Sequence, residues 1–189
     1  SQKNKRLESW KSKIIQQKEQ MIHINIGSNL DSQYGTKFKN ISIAINLLIE
    51  SKLNIKKISC FYETPSYPNK KLPKFANIGL LGEYSFDHIK LIKEISLIEK
   101  KIGRVKTKKN DPRVCDIDII DFNGLVKNNT LLKLPHPRSH SRNFVLYPIK
   151  EIDPKWVHPV FKKNVDFLIN ELSQNSRIEI TRLRKSVII

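Results

Sequence analysis

Apolar and polar positions alternate with two periods along this chain, and the changes of period outline its elements. Residues 21–27 (MIHINIG) alternate with period two and predict a strand in which His23 and Asn25 share a face. Ile41, Ile45 and Leu48 recur at helical spacing and predict a helix over 36–51, with Thr36 as its cap. Residues 54–62 (NIKKISCFY) read as a second strand, and 63–74, with three prolines and no period, as a loop. Residues 75–83 resume as a strand with Phe75, Asn77 and Gly79 on one face. A helix is predicted from Ser85 to Ile102, with Ile89, Ile92, Ile95 and Ile98 as its buried stripe and Gly103 as its stop.

The next strand, 112–121 (PRVCDIDIID), carries the chemistry. Alternation puts Val114, Asp116, Asp118 and Ile120 on one face and Cys115, Ile117 and Ile119 on the other. Two carboxylates side by side repel each other unless a cation sits between them, and hard oxygen ligands suit Mg²⁺. The basic segment from Arg104 to Arg113 precedes this pair. Acid for metal beside base for phosphate is what phosphoryl transfer requires. Downstream, Phe122-Asn123-Gly124 signals a hairpin turn, and 134–138 (LPHPR) presents His136 between two prolines, outside any helix interior. Residues 141–150 start a helix carrying Arg142 and Phe144, and 164–172 form a final amphipathic helix.

Composition changes this picture only a little. The 189 residues suit one domain over 21–175, with 1–20 as an extension or linker helix (Leu7, Trp10, Ile14) and 176–189 as a basic tail. The tail alternates over 177–183 and reads either as an edge strand or as a connection. A net charge of +17 points to polyanionic partners, though lysine is spread over nearly every segment. No apolar run approaches a membrane span. The two cysteines, Cys60 and Cys115, sit in apolar strand-like contexts and are expected as reduced thiols in a cytoplasmic setting. Phe75 beside Asn77 offers a stacking face and an edge-pairing amide for a planar heterocycle.

Five motifs then occur in order: 25–30 (NIGSNL); 61–65 (FYETP) with 75–77 (FAN); Gly103-Arg104; Pro112-Arg113 leading to Asp116 and Asp118; and 135–137 (PHP) followed by Arg142, Phe144, Leu146 and Pro148. Over about residues 21–160 the series resembles the 6-hydroxymethyl-7,8-dihydropterin pyrophosphokinases of folate biosynthesis. The resemblance implies an α+β, ferredoxin-like antiparallel sheet with packed helices. It implies transfer of pyrophosphate from ATP to the pterin hydroxymethyl group, with release of AMP and two Mg²⁺ held by Asp116 and Asp118. Arg104, Arg113, His136 and Arg142 would meet the ATP phosphates, and Glu99 matches a family acid near the nucleotide loop. Arg104, Arg113 and Asp118 would act in catalysis. Thr64, Phe75, Asn77 and Phe144 would bind the pterin, the two aromatics sandwiching its ring. Partners are then ATP and the pterin, with no nucleic acid and no membrane, and fusion to or association with dihydropteroate synthase suits both extensions. One departure stands out: the family commonly has a Trp just before the Pro-Arg pair, where this chain has Asn110-Asp111. The charge alone also fits an RNA-binding module, and the twin acids alone a polymerase-type nucleotidyltransferase.

Overall fold

In the computed structural model, residues 19–105 and 108–189 are described. The helix expected around Trp10, and Lys106 of the basic loop, lie outside them. The period-two segments assemble into one antiparallel sheet built from β1 (Gln20–Ser28), β2 (Asn54–Ile58), β3 (Tyr62–Thr64), β4 (Phe75–Tyr84) and β5 (Asp116–Phe122). A short β8 (Thr181–Arg182) closes one edge, giving the order β5-β1-β4-β3-β8, with β2 also paired to β4. Helices α1 (Lys37–Glu50) and α2 (His88–Ile102) cover one face, over a core of Ile22, Ile24, Ile26, Ile78, Leu80, Ile117 and Ile119. The other face is only half covered. There α3 (Asn143–Ile152) and α4 (Val165–Asn170) bury a second, smaller cluster around Ile120, Leu146 and Trp156. The expected architecture, an antiparallel sheet with packed helices, is the one observed.

Several local expectations are corrected. In α2 the buried stripe is Leu91, Ile95, Ile98 and Ile102, while Ile89 is 47% exposed. A repeat of three drifts by about 60° per step around a helix, so four residues spaced by three cannot share one face. That helix starts later than Ser85, at the Asp87 cap whose side chain accepts from Lys90 N–H. Thr36 makes no side-chain cap bond; Asp31 Oδ1 accepts the Lys37 N–H instead, at 3.2 Å. The second strand is broken at residues 59–61, where Cys60 N–H donates to Glu151 Oε2 at 2.6 Å rather than to the sheet. Its second half, β3, reaches into what reads as loop at Glu63 and Thr64.

Strand β5 begins at Asp116, so alternation does not reach back to Val114. Val114 packs into the main core with Cys115 instead of sharing the aspartate face. Asn123 and Gly124 both take positive φ, as a tight turn requires, but the next strand, β6 (Lys127–Asn128), pairs with β7 (Lys133–Leu134) and not with β5. The helix over 164–172 is not the last, because α5 (Gln174–Ile178) follows and overlaps the start of the stretch that alternates by sequence. After α5, β8 pairs with β3, and Leu183 and Val187 pack against the main core.

Among the described residues no helix is long and apolar enough to cross a membrane. Both cysteines are free; Cys115 is fully buried, and burial pushes its thiol far up, while Cys60 is half-buried. Alkylation of the native protein should therefore modify Cys60 first and Cys115 only after denaturation. Equal rates at the two thiols would contradict the packing of β5.

Candidate active site

The uncovered half of the sheet floors a cavity of about 390 Å³. Strand register sets its floor. Asn77, Gly27 and Asp116 lie side by side in one row, and Gly79, Asn25 and Asp118 in the next. With strands roughly 4.8 Å apart, Asn77 and Asp116 are separated by about 10 Å across the floor. Gly27 stands between them without a side chain, and a Cβ there would come within 2.5 Å of Asn77 Oδ1. Gly79 lets α3 sit close on β4, since a Cβ would meet Pro148 at 2.8 Å.

That proline has a second effect. Inside α3, Pro148 has no N–H to offer the carbonyl four residues back, which is that of Phe144. Asn25 Nδ2–H on β1 donates to this freed carbonyl at 2.8 Å. The first turn of α3 is thus pinned to the cavity floor, and Phe144 lines the cavity beneath the Arg142 guanidinium, which lies 5.3 Å from its ring centroid. Thr64 of β3 pairs with Phe75 of β4, so these two also share the cavity's face.

At the β5 end, Asp116 is held by two arginines: Arg104 Nη1 donates to one oxygen at 3.0 Å and Arg113 Nη1 to the other at 2.7 Å. Asp118 has no such partner among the described residues. Burial, and then the Asp116 charge, push its carboxyl well above the usual range, with Arg142 pulling the other way. His136 Nδ1 accepts Arg138 N–H at 3.2 Å, so the ring proton sits on Nε2, 3.9 Å from Asp118 Oδ2. Burial, with Arg142 and Arg138 nearby, lowers His136 to about 4, which keeps the ring neutral near pH 7.

The pair therefore fits a hard cation: two oxygen donors on one rigid strand, one of them an uncompensated carboxylate. Among the described residues there is no group of three or more His, Cys, Asp or Glu that could hold a metal. Two carboxylates suit Mg²⁺ all the same, since it keeps waters and shares phosphate oxygens.

Of the residues expected at the site, Thr64, Phe75, Asn77, Arg113, Asp116, Asp118, Arg142 and Phe144 line this one cavity. Glu99, Arg104 and His136 line neighbouring depressions instead, His136 with Asp118 and Arg104 with Arg113. Glu99 pairs with Arg104 and accepts Ile117 N–H at 3.1 Å, and burial raises its carboxyl. It lines a separate depression with Arg104, Lys108, Lys109 and Arg113. Sequence reasoning missed Asn25, Arg138, Ser176 and Glu179 as lining residues, and Asn110, where the family commonly has Trp, is another. Only Asn25 carried a signal, as a polar residue on an alternating strand.

The family model described as 7,8-dihydro-6-hydroxymethylpterin-pyrophosphokinase matches residues 23–154. The 2-amino-4-hydroxy-6-hydroxymethyldihydropteridine pyrophosphokinase of Aquifex aeolicus is 35% identical over 142 residues, covering 75% of this chain and 86% of that protein. The folic acid synthesis protein FOL1 of Dictyostelium discoideum is 35% identical over 153 residues, covering 78% of this chain, which spans only 23% of that longer protein. A crystal structure of Plasmodium falciparum HPPK-DHPS wild type with pteroate superposes with a TM-score of 0.66 at 14% identity, over 90% of this chain and 49% of that one. At that identity the last likeness speaks for the fold alone. A family match over residues 23–154, together with the Aquifex relative, makes this chain a member of the 7,8-dihydro-6-hydroxymethylpterin-pyrophosphokinase family.

Proposed function

We propose that the cavity takes the ATP phosphates at its Asp116–Asp118 end and the pterin at its Phe75–Phe144 end, and that the family's reaction runs between the two. Membership gives the domain its activity: transfer of the pyrophosphoryl group of ATP to the hydroxymethyl oxygen of 6-hydroxymethyl-7,8-dihydropterin, in folate biosynthesis. The observation that carries the residue-level reading is that both sets of side chains line one cavity across three adjacent sheet rows, from Thr64-Phe75 to Asp118.

In this reading the flat heterocycle lies between Phe75 and Phe144, and its polar edge meets Thr64 and Asn77. Its hydroxymethyl group then points along the floor toward Asp116 and Asp118. Arg113 and Arg142 face the triphosphate. Arg104, anchored by Glu99, keeps Asp116 in place, and neutral His136 presents Nε2–H as a donor. Asp116 and Asp118 would hold Mg²⁺, two ions in the full complex, which supplies charge neutralisation on the phosphate oxygens when bound. The hydroxymethyl oxygen bonds to the β-phosphorus as the α,β-bridging oxygen leaves with AMP. The protein's own contribution is positioning and fixed positive charge.

The test is a mixture of the chain, ATP, Mg²⁺ and hydroxymethyldihydropterin, analysed for nucleotide products. AMP is expected, and chelation by EDTA should abolish it. ADP as the product, or AMP without the pterin, would overturn the reading. Gly27→Ala should push the Asn77 carboxamide off the floor and weaken pterin binding about tenfold, the scale of one hydrogen bond, with nucleotide binding unchanged. A calorimetric titration of each ligand checks this.

The Plasmodium falciparum structure carries the joint name HPPK-DHPS. We infer dihydropteroate synthase, fused or associated, as this chain's partner, and the free thiols Cys60 and Cys115 fit a reducing cytoplasmic setting.

A further inference from the structure

The cavity has a wall that lies beyond the family match at residues 23–154. Ser176 on α5 and Glu179 just after it line the same space as Thr64, Phe75 and Asn77. Two contacts hold this wall in place. Asn143 Nδ2–H, next to Phe144, donates to the Ser176 carbonyl at 2.7 Å. Thr181 pairs with Glu63 in the β8–β3 ladder, so Glu179, two residues earlier, runs beside the exit of β3 where Thr64 and Pro65 line the cavity.

Among the described residues that line the cavity, Glu179 is the one acid besides Asp116 and Asp118. Its carboxylate is lightly engaged. Asn175 Nδ2–H donates to Oε2 at 3.4 Å, and the exposed Lys70 ammonium lies 3.9 Å from the same oxygen. Arg113 holds Asp116 at the opposite, phosphate end, and Arg142 lies over the Phe144 ring. A carboxylate here disfavours a triphosphate and favours a neutral ligand that presents N–H groups. The pyrimidinone edge of a pterin is such a ligand, with its 2-amino group and ring N–H both donors. Asn77 can offer only one acceptor to that pair.

We propose that Glu179 is a specificity-determining residue for the pterin, accepting hydrogen bonds from its aminopyrimidinone edge, with the 174–182 segment as its mount. The inference rests on the pterin lying at the Phe75–Phe144 end. It extends that site to residues that the family match does not reach.

The experiment measures binding of 6-hydroxymethylpterin by titration, in the presence of a nonhydrolysable ATP analogue and Mg²⁺. Glu179→Gln and Glu179→Ala should each weaken it about tenfold, the lower end for a bond to a charged group, and leave binding of the ATP analogue unchanged. That unchanged binding also reports an intact fold. A pterin analogue lacking the 2-amino group should show a smaller difference between wild type and Glu179→Ala than the pterin does, since one of the two N–H donors to the carboxylate is gone. Lys70→Ala should bind the pterin within twofold of wild type. A loss in Lys70→Ala equal to that of Glu179→Ala would assign Glu179 to holding the 65–74 loop and overturn the proposal. Unchanged pterin binding in both Glu179 variants would also overturn it while leaving wild-type AMP formation untouched. Absence of AMP formation in wild type would instead sink the underlying reading.

Discussion

Replacing Asp118 with Ala should lower the rate of AMP formation by about a hundredfold or more, the scale of removing one preorganised electrostatic group. Asp116 is held between Arg104 and Arg113, whereas Asp118 has no guanidinium on it among the described residues and is pushed up by burial and by Asp116. It is the group whose charge is left uncompensated until a cation arrives. The same imbalance gives a second readout. Without metal, Asp118 is a source of repulsion, so thermal stability of the metal-free Asp118→Ala or Asp118→Asn protein should hold or rise while turnover collapses. A quench-flow or steady-state assay for AMP, with Mg²⁺ titrated, and a melting curve of the metal-free protein check both halves. Turnover at the wild-type rate would remove the metal assignment from this strand.

Phe75→Ala should weaken pterin binding about ten- to a hundredfold, the range expected when a heterocycle loses one stacking ring. Phe75 sits half-buried at the start of β4, beside Thr64 in the ladder and one row from Asn77. Its ring is at the end of the cavity away from Asp118, so binding of an ATP analogue should be unaffected. Titration of each ligand separates the two, and equal losses for both would refute the assignment of ends. Phe144→Ala is a less clean probe, because Arg142 lies against that ring and would move with it.

Much of this site was legible before any fold was known. Alternation alone put Asp116 and Asp118 on one face of β5 and Phe75 and Asn77 on one face of β4, because side-chain direction in a strand follows from position parity. What alternation cannot give is which rows of different strands line up. The register that sets Gly27 between Asn77 and Asp116 joins three segments far apart in sequence. The α2 stripe is a different case: the spacing of 3.6 residues per turn already sets Leu91, Ile95, Ile98 and Ile102 on one face and turns Ile89 away from it. The break at Cys60 depends on Glu151, a residue of α3 that no local pattern links to it.

Residue type and parity are local properties, so the chemistry on offer is written along the chain: paired carboxylates, flanking arginines, an imidazole between prolines and two aromatics. Which of these groups share the cavity is settled by long-range packing. Folding set Glu99, Arg104 and His136 in neighbouring depressions, pinned the first turn of α3 through Asn25 and the carbonyl freed by Pro148, and brought Ser176 and Glu179 to the far wall. These outcomes depend on long-range pairing and close packing, whose energies belong to pairs of segments and are written in neither segment alone.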